Sequence, residues 1–206
     1  KIVREVLNII GTSGIVIIER SGGNQTEVQY VEGLKINQGY VSPDSAVKLK
    51  STEIILKDPL VVITGSMLST GLQIQTILEK AGEIGKNMVL IAEHFSREAL
   101  AALSANNIER HFRCLAVKAP AFGDRRKAIL EDIAILTGGR VANVVDSTPT
   151  PACPECFGQA RCVVAGSQDT FIIGGGGFPE TIQARKEQIK AQLGLVRSEY
   201  EKEKVQ

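Results

Sequence analysis

The sequence predicts an α/β fold in which mixed β-sheets are flanked by helices. From residue 60 to residue 139, short β-branched apolar runs alternate with stretches of helical apolar spacing, the pattern of parallel strands joined by helices. Strand-like runs on either side of this region predict additional antiparallel strands. Of the 206 residues, 43% are hydrophobic, which is enough for the core of one large domain or of one domain and a further fragment.

The first fifty residues predict a helix, a β-hairpin and an irregular stretch. Apolar residues at helical spacing within residues 1–10 predict a short amphipathic helix. Two strand-like runs, at residues 15–18 and 27–31, are separated by a glycine-containing turn and predict the hairpin. Glycines interrupt the pattern after the hairpin, so we expect residues 33–50 to be irregular.

The middle of the chain predicts three buried strands, each followed by a helix. The strands are the apolar runs at residues 60–64, 88–92 and 112–117. The helices are expected at about residues 70–81, 96–107 and 124–137, capped by Thr70, Ser96 and Asp124. Gly138 and Gly139 are expected to end the third helix.

The last third of the chain predicts three more strands and a terminal helix. Residues 140–145, 161–165 and 170–173 have strand-like composition. Gly174–Gly177 predicts a flexible break after them. Pro179 suits the first position of a helix that continues to the end of the chain.

Charge and aromatic content limit the classes of partner. The 24 basic and 23 acidic residues leave a net charge of +1, which gives no electrostatic basis for binding nucleic acid or an anionic membrane. Aromatic residues make up only 4% of the chain, which disfavours stacking on bases or sugars. The four cysteines are too few for a disulfide scaffold, so a reducing compartment is expected.

Three features leave other functions open. Gly174–Gly177 lies between a strand and a helix, as a phosphate-binding loop does, but lacks the spacing of such a loop. Cys153, Cys156 and Cys162 contain one C-x-x-C pair, whereas a structural zinc site usually takes four ligands. A redox C-x-x-C usually begins a helix, but Pro154 places this pair in a proline-rich loop. His94 follows a predicted strand without a nucleophile motif nearby. A flexible connection, loop thiols without a role and a surface histidine are the simpler interpretations.

A charge cluster at residues 123–127, Gly-Asp-Arg-Arg-Lys, begins the third predicted helix. Its three cations oppose the positive end of the helix dipole. They are therefore expected to bind an anion or to form ion pairs, and a solvated helix start with ion pairing is the simpler interpretation.

One long stretch of the sequence is distinctive. Residues 117–139, VKAPAFGDRRKAILEDIAILTGG, closely resemble the apical-domain signature of group I chaperonins, the sixty-kilodalton GroEL-like family. Residues 31–33 and 39–43 are similar to the family's hinge before this domain and to its first substrate-binding segment. Other segments are similar in the same order, at residues 91–93, 98–103, 157–160 and 198–206, so the resemblance covers nearly the whole chain.

The resemblance implies two domains. Residues 1–31 would be a partial intermediate-domain segment, a helix plus a β-hairpin, with a hinge near Gly33. Residues 32–206 would be the apical substrate-binding domain, with the family's β/β/α swivelling-type fold. The ATP-binding equatorial domain has no counterpart here, so we expect a piece of a longer subunit that does not itself hydrolyse ATP.

The resemblance also implies a groove between the helices at about residues 70–81 and 96–107, together with a nearby extended segment. In the family, non-native polypeptides and the mobile loop of the cochaperonin bind there, and burial of apolar surface at about 25 cal/mol per Å² supplies the driving force. By spacing, Ile74, Ile77 and Leu103 are expected in the core. The matching binding positions are Tyr40, Ser42, Asp44, Ser45, Gln75, Leu78, Leu100, Ser104, Ala105 and Asn106.

Several of these positions depart from the family's pattern. Asp44 and Ser45 replace two aromatic residues, Gln75 replaces a leucine, and Ser104 and Ala105 replace two valines. The groove would therefore be unusually polar, and we expect a specialised subunit with a narrowed range of clients.

Cofactors and partners follow from the same resemblance. In the full-length protein it implies ATP and magnesium, and sister subunits of a seven-membered ring. For the present sequence it implies no catalytic residue, metal or cofactor. The expected partners are unfolded or partly folded polypeptides and a cochaperonin, without nucleic acid or membrane. The expected location is soluble, in a bacterial cytoplasm or an organelle interior, either the mitochondrial matrix or a plastid.

Overall fold

The computed structural model describes residues 33–41, 53–109, 112–142 and 154–195, all within a unit that spans Val31–Gln206. The helix and hairpin expected in residues 1–31 lie outside the described residues. The described ranges form an α/β fold in which a mixed sheet is flanked by four helices, as the sequence predicts.

Ten strands and four helices make up the described part of the chain. The strands are β1 (Gly33–Ile36), β2 (Ile54–Lys57), β3 (Leu60–Thr64), β4 (Met67–Leu68), β5 (Met88–Ala92), β6 (His94–Phe95), β7 (Cys114–Lys118), β8 (Val141–Ala142), β9 (Phe157–Ala165) and β10 (Thr170–Gly175). The helices are α1 (Gly71–Ile84), α2 (Arg97–Glu109), α3 (Gly123–Thr137) and α4 (Pro179–Leu195). Within these ranges no helix is both long and apolar enough to cross a membrane.

The main sheet has the strand order β1-β10-β9-β3-β5-β7. β3, β5 and β7 are parallel neighbours, connected through α1 and α2, as the alternation of strands and helices predicts. β8 runs parallel to the end of β3, whereas β9 pairs antiparallel with its beginning. β10, β1 and β2 extend the sheet in antiparallel fashion, and β4 and β6 form a separate parallel ribbon.

β3 lies between two hydrophobic cores, and all five of its residues are buried. Val61 and Ile63 pack on the side of the sheet covered by α3. Leu60 and Val62 pack on the opposite side, against α1 and α2. Helices on both faces explain why this strand is apolar throughout rather than alternating.

The expected beginnings of α1 and α2 and the expected end of α3 are confirmed, whereas α1 continues past its expected end at about residue 81 to Ile84 and is closed by Gly85. The N–H of Gln73 donates to Thr70 Oγ1, and the side chain of Gln73 accepts from Thr70 N–H at 3.1 Å, which completes a capping box. The N–H of Ala99 donates to Ser96 Oγ at 3.1 Å. Gly138 ends α3 with a φ of 74°.

Three features of the local structure differ from what the sequence predicts. Residues 33–50 were expected to be irregular, but β1 pairs with β10 through four register positions that begin at Gly33 opposite Ile173. β2 was not predicted, because its identity as a strand depends on pairing with β9. Asp124 does not cap α3. The N-cap is Phe122, without a side-chain cap, and Asp124 lies in the first turn, where a carboxylate suits the helix dipole.

The glycine run at residues 174–177 is packed against α3 and is not the expected flexible break. The N–H of Gly177 donates to the carbonyl oxygen of Leu136 at 2.9 Å. A Cβ atom on Gly175 would lie 2.0 Å from the same oxygen. The absence of side chains therefore lets β10 and the segment after it lie directly on the last turn of α3.

Replacing Gly175 with alanine is expected to lower the free energy of unfolding by about 3 kcal/mol, because the new Cβ overlaps backbone that is held by the sheet and the helix. Urea denaturation of the whole chain measures this. Gly65→Ala is the control, since its Cβ would meet only Leu130 Cδ1 at 3.9 Å. We expect a change within about 0.5 kcal/mol there. Equal stabilities for the two variants would contradict the packing argument.

Candidate functional site

The helix pair α1–α2 is the part of the fold that corresponds to the expected groove. Each helix follows one strand of the parallel β4–β6 ribbon and leads back to a parallel strand, so the two helices run in the same direction on one face of the sheet. Two hydrogen bonds join their beginnings. Ser96 Oγ donates to the carbonyl oxygen of Ser69 at 2.6 Å, and the N–H of Gly71 donates to Glu98 Oε1 at 2.7 Å. The carboxylate of Glu98 thus satisfies the exposed N-terminus of the neighbouring helix.

The inner side of the helix pair is core, as expected for Ile74, Ile77 and Leu103. Leu78 also belongs to the core and is only 5% exposed. Leu100 is half-buried and packs against the same core. Of the two leucines matched to binding positions, only Leu100 therefore retains a partly accessible side chain.

The outer side of the helix pair is mostly polar, in keeping with the departures seen in the sequence. Gln75 is exposed and donates from Nε2 to Glu79 Oε1 at 2.9 Å. Ser104 is partly exposed and Ala105 is exposed. Leu72, which is not among the predicted binding residues, supplies apolar surface there, with 65% of the residue exposed. It precedes Gln75 by three residues, so helical spacing would have revealed it.

Tyr40 lies beside α2, close to one of the other predicted binding residues. The N–H of Val41 donates to the carbonyl oxygen of Ala116 at 2.8 Å, which places this segment along the outer edge of β7. A small apolar cavity is lined by both Tyr40 and Leu100. The structure thus brings together two residues that are sixty positions apart. Ser42, Asp44 and Ser45 lie outside the described residues.

Two adjacent asparagines near the end of α2 have different surroundings. Asn106 is only 5% exposed, and neither polar atom of its side chain has a hydrogen-bond partner among the residues that the structure describes. Asn107 accepts from the N–H of Cys114 at 2.7 Å and donates to its carbonyl oxygen at 2.9 Å. The amide of Asn107 therefore takes the place of a neighbouring strand at the edge of β7. No local pattern in the sequence pointed to this role.

Gly33, the expected hinge, forms part of β1 in this structure. A Cβ atom at this position would lie 2.8 Å from the carbonyl oxygen of Ile172, so close strand packing accounts for the glycine. The hinge role stays a prediction.

The glycine run does not have the geometry of a phosphate-binding loop. The N–H groups of Gly176 and Gly177 already donate to the carbonyl oxygens of Gln159 and Leu136, each at 2.9 Å. The run faces the carbonyl end of α3, where the helix dipole disfavours an anion. The alternative interpretation of the run as a phosphate site therefore has no support from the geometry.

The thiol and imidazole candidates are dispersed in the described part of the chain. Cys156 is half-buried beside β9, Cys162 is buried within it, and Cys153 lies outside the described ranges. His94 is exposed in β6. No group of three or more histidine, cysteine or acidic residues within the described ranges is placed to hold a metal ion.

The charge cluster at the beginning of α3 forms ion pairs, as expected. Arg126 pairs with Glu93, although its side chain is only 13% exposed. Lys127 pairs with Asp124 at 3.7 Å, and both of these side chains are exposed. The cationic helix start is thus partly neutralised by carboxylates.

No protein-family model matches the sequence. The fold and the candidate site place the described residues in a general class of domain. It is an α/β domain in which two parallel helices, joined at their beginnings, lie on one face of a mixed sheet. An α/β fold alone does not identify a chaperonin, so the resemblance noted in the sequence remains the basis for a functional proposal.

Asn107→Ala is expected to lower the free energy of unfolding by about 2 kcal/mol, because it leaves two buried backbone groups of Cys114 without partners. Chemical denaturation followed by circular dichroism measures the change. Gln75→Ala also removes one side-chain amide, but from an exposed position, and is expected to change stability by less than about 0.5 kcal/mol. If Asn107→Ala lowered the free energy of unfolding by less than about 0.5 kcal/mol, water would be replacing the amide as the partner of Cys114.

The pH dependence of the free energy of unfolding tests the burial of Cys114. Burial raises the pKa of the Cys114 thiol, so the folded chain keeps a proton that the unfolded chain loses above a pKa of about 8.5. Below that pH this group adds no pH dependence. Above it, Cys114 is expected to lower the free energy of unfolding by up to about 1.4 kcal/mol per pH unit. Cys114→Ala should reduce the slope by that amount between about pH 9 and 10, and identical slopes would contradict the assignment.

Proposed function

We propose that this chain is the apical domain of a chaperonin subunit, which captures non-native polypeptides and the mobile loop of a cochaperonin on the helix pair α1–α2. The observation that carries the proposal is the pairing of two parallel helices with accessible outer sides, at the positions that the resemblance assigns to the groove. The proposal rests on that correspondence, because an α/β fold serves many functions.

The joined beginnings of the helices suit this function. Ser96 and Glu98 hold the N-terminal turns of α1 and α2 together, so the spacing between them is set before a ligand arrives. A pre-organised groove avoids the entropy cost of ordering two helices on binding. Two parallel ridges accept a helix or an extended segment without requiring a particular sequence.

The chemistry of the outer side favours a restricted set of ligands. Leu72 and Ala105 offer apolar contact, whereas Gln75 and Ser104 offer hydrogen bonds. A polar side chain that is covered by apolar ligand surface without a partner costs free energy. Amphipathic segments should therefore bind better than uniformly apolar ones, in agreement with a specialised subunit.

The remaining parts of the proposal concern the full-length protein. There, ATP with magnesium would drive the cycle, sister subunits would complete a seven-membered ring, and the complex would be soluble in a bacterial cytoplasm or an organelle interior. The present chain would bind polypeptides without hydrolysing ATP.

The test uses binding of a permanently unfolded protein, reduced and carboxymethylated α-lactalbumin. Gln75→Leu restores apolar character to the helix pair and is expected to tighten binding about three- to tenfold. Fluorescence anisotropy of labelled α-lactalbumin measures the dissociation constant of its complex with this chain. A cochaperonin mobile-loop peptide should compete for the same surface.

Gln183→Leu on α4 is the matched control. Gln183 makes the same local hydrogen bond as Gln75, from Nε2 to a glutamate four residues later, at 2.9 Å. This control should leave the dissociation constant unchanged. An equal effect of both variants would show that added surface hydrophobicity, and not the helix pair, determines binding, and would overturn the proposal.

A further inference from the structure

A second surface, at the beginning of α3, presents an aromatic side chain to solvent. Phe122 is 80% exposed. The residues on either side, Ala121 and Gly123, have φ values of 59° and 57°, in the left-handed region. That region is unfavourable for alanine, and Phe122 occupies an N-cap without a side-chain hydrogen bond. The backbone conformation of Ala121 and the choice of N-cap residue are thus both unfavourable where this ring is exposed. Such departures from local preference are common at binding sites.

Arg126 lies against the exposed ring. Its guanidinium carbon lies 5.3 Å from the centroid of the Phe122 ring. Its Nε donates to the carbonyl oxygen of Ala121 at 3.1 Å, and the same guanidinium pairs with Glu93. The aromatic side chain is therefore positioned without being covered. A pre-positioned aromatic residue loses little conformational entropy on binding, which is typical of interface anchors.

The chain on either side of Phe122 carries excess positive charge. Lys118 and Arg125 are exposed and have no ion-pair partner among the described residues. Lys127 pairs with Asp124 and Arg126 pairs with Glu93, which leaves Lys118 and Arg125 as the uncompensated charges of the segment. An apolar anchor with a cationic rim is complementary to apolar side chains flanked by carboxylates.

We propose that the Phe122 surface, made of Lys118, Phe122, Arg125 and Arg126, is a docking site for an acidic amphipathic segment of another protein. None of these residues belongs to α1 or α2, so this surface is additional to the proposed polypeptide-binding groove. Phe122 is the apolar anchor, the basic residues attract and orient the carboxylates, and Arg126 acts as a positioning residue.

The probe is a fluorescein-labelled peptide of alternating glutamate and leucine, titrated with the full chain and followed by anisotropy. Saturable binding is expected, with at least tenfold weaker binding to Phe122→Ser. Phe178→Ser is the matched control, because Phe178 is 79% exposed at the beginning of α4 but is followed by Glu180 rather than by basic residues. The control should change affinity less than twofold. Absence of saturable binding, or an equal loss in both variants, would overturn the proposal.

The contribution of charge to peptide binding is tested separately. Arg125→Glu and added salt are expected to weaken binding several-fold each, because the attraction is between exposed charges. A peptide with glutamine in place of glutamate should bind at least tenfold more weakly, and equal binding would overturn the acidic character of the ligand. Gln75→Leu distinguishes the two surfaces. Tighter binding of this peptide to that variant, with no loss for Phe122→Ser, would place the peptide on the helix pair and overturn the docking proposal.

Discussion

Helices cover both faces of β3, and its alternate residues contribute to two separate cores. A shift of one residue in the pairing of β3 with β5 would turn each β3 side chain to the opposite face of the sheet. The side chains that now face α3 would then face α1 and α2, and the reverse. The register Leu60 opposite Met88 is therefore constrained from both sides. The same strand also pairs with β8 and β9, so the positions of the antiparallel strands depend on it.

The candidate groove depends on this arrangement. Because β3 and β5 are parallel neighbours, the ribbon strands that follow them are brought side by side, and α1 and α2 begin together. The bonds from Ser96 and Glu98 then fasten the two beginnings. At the other end of α2, Asn107 joins the helix to β7, and Val41 covers the next part of the same strand edge. A sheet edge that would otherwise attract other strands is thus closed by the elements that frame the candidate groove.

The structure places two chemically different surfaces on one domain. The outer side of the helix pair is polar, with Leu72 as an exposed large apolar residue, whereas the Phe122 surface combines one exposed aromatic ring with uncompensated cations. The buried amide of Asn106, without a partner among the described residues, adds a local conflict close to the groove. Two departures from local preference, the left-handed backbone of Ala121 and the buried amide of Asn106, therefore lie near the surfaces proposed to bind ligands, whereas the central strands β3 and β5 follow the expected patterns.

The sequence by itself determined the elements whose signals are local. The strand at Leu60–Thr64 follows from an unbroken apolar run, and the beginnings of α1 and α2 follow from Thr70 and Ser96, whose side chains bond to backbone only three residues away. Through Gln75 and Ser104, the sequence also indicated that the helix pair is polar. Only the tertiary structure decided that β2 is a strand, that Leu78 belongs to the core, and that Asn107 completes the edge of β7. Each of these depends on contacts between residues far apart in the chain or on which side of a helix meets the sheet, and no short sequence pattern records such contacts.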